Sequence, residues 1–210
     1  MSWRKTIPLL LLFVSASLDG GTPAVLVVGD SLSAGYGLSA EETWPRLLQK
    51  TLQQRELAFR VVNASISGDT TSGGLTRLPR ALKIHEPAVV IIELGGNDGL
   101  RAVPIAEIRR NLDQMIKLSR DAGASVLLTS ILIPPNYGPD YGEKFARVFG
   151  EAAAEGGAAL APFFLDGIAL EPGMMQADGI HPTAEAQPRI VTNIWPSLCP
   201  LLVGEALSRC

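Results

Sequence analysis

Cysteine and histidine are scarce in this 210-residue chain, with two of each. The cysteines, Cys199 and Cys210, have no Cys or His neighbour at metal-ligand spacing, so a zinc site is not expected. In an oxidising compartment they could form one disulfide, which would tie down only the C-terminal tail. Excess positive charge is also missing. The formal net charge is −3, which provides no broad basic surface for nucleic acid. There is no low-complexity tract and no repeat of fixed period, so solenoids and disordered arrays are excluded. Near the N-terminus, the apolar run at residues 7–16 is shorter than the roughly 20 residues a spanning helix needs. It follows Arg4 and Lys5 and ends in Val14-Ser15-Ala16, the small-residue pattern of a cleavage site. Residues 1–16, with a loose leader to about residue 22, are therefore expected to be a secretory signal peptide. The processed protein is expected to be periplasmic or secreted, without stable membrane insertion. No cysteine lies beside the cleavage site, so no lipid anchor is expected.

What remains reads as one domain, residues 23–203, with a short tail at 204–210. Its organising stretch is residues 25–37. An apolar β-branched run stops at Gly29, a polar turn carries Ser31, and a Gly-rich segment follows. The pattern predicts a buried strand ending in a sharp bend. Further strands are expected at residues 59–64, 88–94, 125–133 and 158–164. Helices are expected at 43–56, 75–85, 105–122, 143–155 and 183–198, with loops at 65–74, 95–99 and 134–142. This alternation predicts an α/β fold of three layers, αβα, with a doubly wound parallel sheet of about five strands. Loops after the strands then converge on one rim, where such folds bind ligands.

A serine on that rim is a candidate nucleophile if the chain supplies a base, an acid to orient it and oxyanion donors. His85 closes a helix at the opposite end and reads as a capping or solvated residue. His181 lies three residues after Asp178, across a Gly turn, so the carboxylate can hold one imidazole nitrogen while the other faces Ser31. Gly68 lacks a Cβ, so its N–H can approach a reacting oxygen. The Asn97 side chain and the Ser31 N–H are the other candidate donors. Taken singly, each of these residues is equally at home as ordinary turn chemistry.

Together the blocks are more specific. Gly29-Asp30-Ser31-Leu32-Ser33, Asn63 to Thr70 around Gly68, Gly95-Gly96-Asn97-Asp98 and Asp178-Gly179-Ile180-His181-Pro182 resemble the SGNH, or GDSL, hydrolases. The serine stands outside any Gly-x-Ser-x-Gly elbow, which separates the chain from α/β-hydrolases. Residues 93–101, 134–138, 162–164 and 175–182 resemble the bacterial periplasmic branch that holds acyl-CoA thioesterase I, lysophospholipase and arylesterase activities. The resemblance implies a flavodoxin-like sheet and a serine esterase that hydrolyses aryl esters, acyl thioesters and lysophospholipids without metal or cofactor. It implies Ser31 as nucleophile, His181 as base and then acid, and Asp178 as orienter. The oxyanion hole would be Ser31, Gly68 and Asn97. Asp30, Asp69 and Asp98 are read as loop-bonding residues. Residues 99–104 are expected to form a mobile lid, with Leu100 and Arg101 touching substrate, and Tyr137 is expected in a facing wall. Asn63-Ala64-Ser65 matches a glycosylation sequon at a strand end, and no modification is assigned to it. The expected partner is a small acyl ester or thioester, and a monomer is the default. A carbohydrate-ester deacetylase of the same fold is the alternative enzyme. A phosphate- or flavin-binding module is the alternative outside catalysis, but the chain lacks a Gly-x-Gly-x-x-Gly and a P-loop lysine.

Overall fold

The apolar runs become five strands: β1 (Ala24–Gly29), β2 (Arg60–Asn63), β3 (Pro87–Glu93), β4 (Ser125–Ser130) and β5 (Ala159–Phe163). In this computed structural model, which describes residues 21–203 and Cys210, all neighbouring strands are parallel in the order β2-β1-β3-β4-β5. This is the flavodoxin-like order, and the strand sequence reverses direction between β1 and β3. The expected signal peptide, residues 1–16, and tail positions 204–209 lie outside the described residues.

Alternate residues of the buried strands feed two cores, as the period-two geometry requires. Leu26, Val28, Val90, Ile92 and Leu128 pack beneath three helices on one face: α3 (Thr71–His85), α5 (Ile105–Asp121) and α6 (Pro139–Gly156). Val25, Val27, Val89, Ile91 and Leu127 pack beneath α2 (Trp44–Gln54) and α7 (Gln187–Val203) on the other. The α2 stripe is Trp44, Leu48 and Leu52, one turn apart. Two one-turn helices, α1 (Ser31–Ala34) and α4 (Gly96–Leu100), follow β1 and β3 directly.

Several boundaries differ from the sequence expectation, each for a tertiary reason. Helix α3 begins at Thr71 rather than residue 75, so Gly73 and Gly74 lie inside it. Thr70 accepts from the Gly73 N–H, and the buried Asp98 carboxylate accepts from the Thr71 N–H, which outweighs the poor helix propensity of glycine. Strand β4 stops at Ser130, short of residue 133, because the register shifts there and β5 ends opposite it at Phe163. Helix α6 starts at Pro139, within the expected loop, since proline suits a first helical turn. Asn97 lies in a helical turn rather than a plain loop. Helix α7 starts at Gln187, after a 3-10 turn, and continues through Pro196 and Pro200 to Val203. Burial of Ile190, Val191, Ile194 and Leu198 holds it together where proline removes backbone donors. Cys199 and Cys210 are paired as a disulfide across an 11-residue separation.

Candidate active site

The carboxyl ends of β1, β2 and β3 are neighbours in the sheet, and the strand order reverses between β1 and β3. Ser31 follows β1, Gly68 follows β2 and Asn97 follows β3. The sequence-expected residues therefore meet at the topological switch point, where doubly wound sheets bind ligands.

Ser31 opens α1, and the Asp30 side chain caps that turn by accepting from the Leu32 N–H at 3.0 Å. Ser31 Oγ lies 2.9 Å from His181 Nε2. His181 Nδ1 lies 2.7 Å from Asp178 Oδ2. The other Asp178 oxygen accepts from the Ile180 and His181 backbone N–H groups at 2.9 and 3.0 Å. The His181 N–H, the imidazole and the Ile180 N–H hold the Asp178 carboxyl down at about 2. The His181 loop is closed by an isolated antiparallel bridge between Met175 and Pro182. Gln176 pins it to the loop after β1, donating to the carbonyls of Tyr36 and Pro182. The Tyr36 ring packs against the imidazole, with centroids 4.3 Å apart. Neither Gln176 nor Tyr36 stands out in the sequence, because both act across about 140 residues of chain.

Gly68 sits in a tight turn closed by the Asp69 N–H donating to the Ile66 carbonyl at 3.1 Å. Its φ of +80° is the left-handed conformation that favours glycine. The Asn97 amide donates to Asp30 Oδ2 at 3.0 Å, which leaves its second N–H to be offered elsewhere. The three aspartates read as loop-bonding residues do bond loops. Asp30 caps α1, Asp69 pairs with Arg77, and Asp98 accepts from Thr71 Oγ1 at 2.6 Å.

Beneath the Ser31 turn lies Glu93, fully buried. Its Oε2 accepts from the Ser33 hydroxyl at 2.7 Å, and its Oε1 has no partner among the described residues. Burial, reinforced by the neighbouring Asp30 charge, pushes the Glu93 carboxyl well above its usual range. Burial likewise raises Asp30 to about 6. Sequence reasoning passed over Glu93 as a strand end. Its signal was a lone carboxylate closing an otherwise apolar strand.

Arg101 is exposed and donates to the Gly68 carbonyl at 3.3 Å. Leu100 is 37 % exposed on the same segment. Tyr137 and Tyr141 donate to the carbonyls of Leu100 and Val103, both at 2.9 Å, so the expected wall is bonded to the expected lid. His85 ends α3 at the opposite side of the sheet. Among the described residues, no three His, Cys, Asp or Glu side chains cluster as metal ligands.

Comparison with known proteins agrees with this arrangement. Residues 27–188 match the GDSL-like Lipase/Acylhydrolase family. The chain is 53 % identical over 192 residues to Esterase TesA of Pseudomonas aeruginosa, covering 91 % of this chain and 96 % of that protein. It is 42 % identical over 200 residues to Thioesterase 1/protease 1/lysophospholipase L1 of Escherichia coli K12, covering 95 % of each. The fold superposes with a TM-score of 0.82 on a crystal structure of the psychrotrophic esterase EstA from Pseudoalteromonas sp., inhibited by monoethylphosphonate. That protein is 42 % identical, and the match covers 85 % of this chain and 98 % of the other. With its serine, glycine, asparagine and acid–histidine blocks gathered on one rim of a flavodoxin-like sheet, the chain belongs to the GDSL-like lipase/acylhydrolase family.

Proposed function

We propose that this ester hydrolase works through an acyl-enzyme formed on Ser31, with His181 as general base and then acid and Asp178 as its orienter. The observation that carries the reading is the unbroken line from Asp178 Oδ2 to His181 Nδ1 and from His181 Nε2 to Ser31 Oγ, at 2.7 and 2.9 Å. His181 takes the hydroxyl proton as Ser31 Oγ attacks the ester carbonyl. The Ser31 and Gly68 N–H groups and the Asn97 amide receive the charge that develops on the carbonyl oxygen. Collapse expels the alcohol or thiol, protonated by His181. Water then attacks the acyl-enzyme by the same route and frees the acid and Ser31. The low-lying Asp178 carboxyl keeps its charge beside the imidazole throughout the working pH range.

The proposed substrates are esters and thioesters with an apolar acyl chain: aryl esters, acyl thioesters and lysophospholipids. Large apolar side chains stay exposed on the loops after four successive strands, Tyr36, Ile66, Leu100 and Leu132, with Ile180 beside His181. These side chains are available to an acyl chain lying across the rim. They favour a long acyl chain over the acetyl group of a deacetylase. Leu100, Arg101 and Tyr137 are assigned to substrate contact on this reading. Residues 1–16 are assigned as an export signal, and the Cys199–Cys210 disulfide fits an oxidising compartment. No helix among the described residues is long and apolar enough to cross a membrane.

A chain-length series of nitrophenyl esters and acyl thioesters, measured on wild type and Ser31→Ala, tests the assignment. Wild type is expected to prefer longer chains, and Ser31→Ala to lose turnover on all of them. Turnover retained by Ser31→Ala overturns the mechanism, and activity confined to acetyl esters overturns the substrate class.

A further inference from the structure

Arg77 is a half-buried cation on α3 that the mechanism does not use, with its side chain 20 % exposed. All three nitrogens of its guanidinium are engaged. Nε donates to Asp69 Oδ2 at 2.7 Å, Nη2 to the Gly29 carbonyl at 3.1 Å, and Nη1 to the Ala64 carbonyl. These acceptors belong to different parts of the rim. Gly29 stands two residues before Ser31, Ala64 follows the end of β2, and Asp69 follows Gly68. Asp69 is itself oriented, because its Oδ1 accepts from the Thr70 N–H at 3.0 Å. Residues 69, 73 and 77 succeed one another at four-residue spacing, on one face of α3 and its entry. At the middle position a Cβ would stand 1.9 Å from Asp69 Oδ1, so Gly73 is what lets the carboxylate lie along the helix and reach Arg77.

We infer that Arg77 is a positioning residue that sets the spacing between the Ser31 and Gly68 N–H donors of the oxyanion hole. The inference rests on the acyl-enzyme reading above. The two donors are 37 positions apart in sequence, so no local turn can fix their separation. A planar fork with donors in fixed directions can hold three acceptors at once, whereas an ammonium is a single point of charge. From the other side Arg101 donates to the Gly68 carbonyl, so the Gly68 turn is gripped from below and from the lid. Loss of the lower grip lets the hole widen, which weakens binding of the transition-state oxygen more than binding of the ground-state ester.

The test compares wild type, Arg77→Ala, Arg77→Lys, Gly73→Ala and Ser31→Ala on a short nitrophenyl ester, with melting temperatures alongside. Arg77→Ala is expected to lower kcat about 10–10²-fold with KM within about threefold. Arg77→Lys is expected not to restore it, and millimolar guanidinium is expected to restore part of the rate to Arg77→Ala while leaving wild type unchanged. Gly73→Ala displaces the Asp69 carboxylate without removing any charge, and is expected to lower kcat in the same selective way. It keeps the inference falsifiable if Arg77→Ala does not fold. A kcat unchanged in Arg77→Ala, or in Gly73→Ala where Arg77→Ala does not fold, overturns the positioning role, as does a rise in KM alone. Full activity in Arg77→Lys overturns it as well. Turnover by Ser31→Ala would instead bring down the underlying mechanism, so the two failures are distinguishable.

Discussion

Asp30 and Asn97, 67 residues apart, share a hydrogen bond in which the Asn97 amide donates to Asp30 Oδ2 at 3.0 Å. The bond joins the residue before the proposed nucleophile to a proposed oxyanion donor. An amide free to rotate would spend part of its time with its oxygen facing the developing charge, and Asp30 prevents that by accepting only from its nitrogen.

Asn97→Ala is therefore expected to lower kcat by roughly 10²–10³, the usual loss for one oxyanion donor. Asp30→Ala is expected to cause a smaller loss, and the double variant to be no worse than Asn97→Ala, because the two residues act as one unit. Steady-state kinetics on a single nitrophenyl ester reads all three. Losses that multiply would show that Asp30 acts independently of Asn97.

Glu93 and Asp30 give the stability of the protein a definite pH dependence. Burial raises both carboxyls in the folded chain, Asp30 from 3.8 to about 6 and Glu93 well above 4.5. Below those ordinary values both states hold the proton. As pH rises, the unfolded chain ionises first, so the stabilisation is lost progressively up to the folded-state values. Glu93→Gln removes one titrating site and keeps an acceptor for Ser33. The melting temperature of the variant relative to wild type is expected to climb from about pH 4.5 upward. Thermal melts across pH 4–9 check this, and a constant offset would mean that folding does not raise the Glu93 carboxyl.

Tyr137 and Tyr141 fasten the segment after Asn97 through the carbonyls of Leu100 and Val103. If that segment is a lid, an acyl phosphonate bound at Ser31 is expected to slow deuterium exchange at residues 100–103. Tyr137→Phe with Tyr141→Phe is expected to speed exchange there in the free enzyme. Unchanged protection on phosphonate binding would make residues 99–104 a fixed wall.

Much of the architecture was legible without coordinates, because it depends on local rules. A parallel strand buried on both faces must be continuously apolar, as residues 25–28 and 88–92 are, and an amphipathic helix must repeat at three to four residues, as residues 108–116 do. Left-handed turns favour glycine, as at Gly68. An aspartate three residues before a histidine can reach its ring, as at Asp178. These short-range constraints, with the family resemblance, were enough to bring Ser31, Gly68, Asn97, Asp178 and His181 forward as candidates.

Only the tertiary structure decided how far those residues support one another. The order β2-β1-β3-β4-β5 brings three loops to the switch point, and no local pattern encodes strand order. The start of α3 depends on Asp98 from the one-turn helix α4, so propensity alone placed it too late. The Glu93 carboxyl is raised only once β3 is enclosed, since burial is a property of the packed sheet. Arg77 looked like any helical arginine until Gly29, Ala64 and Asp69 met around it. The residues proposed to perform chemistry leave short-range marks in sequence. Those that hold them in place act through contacts between distant segments, which exist only after the chain has folded.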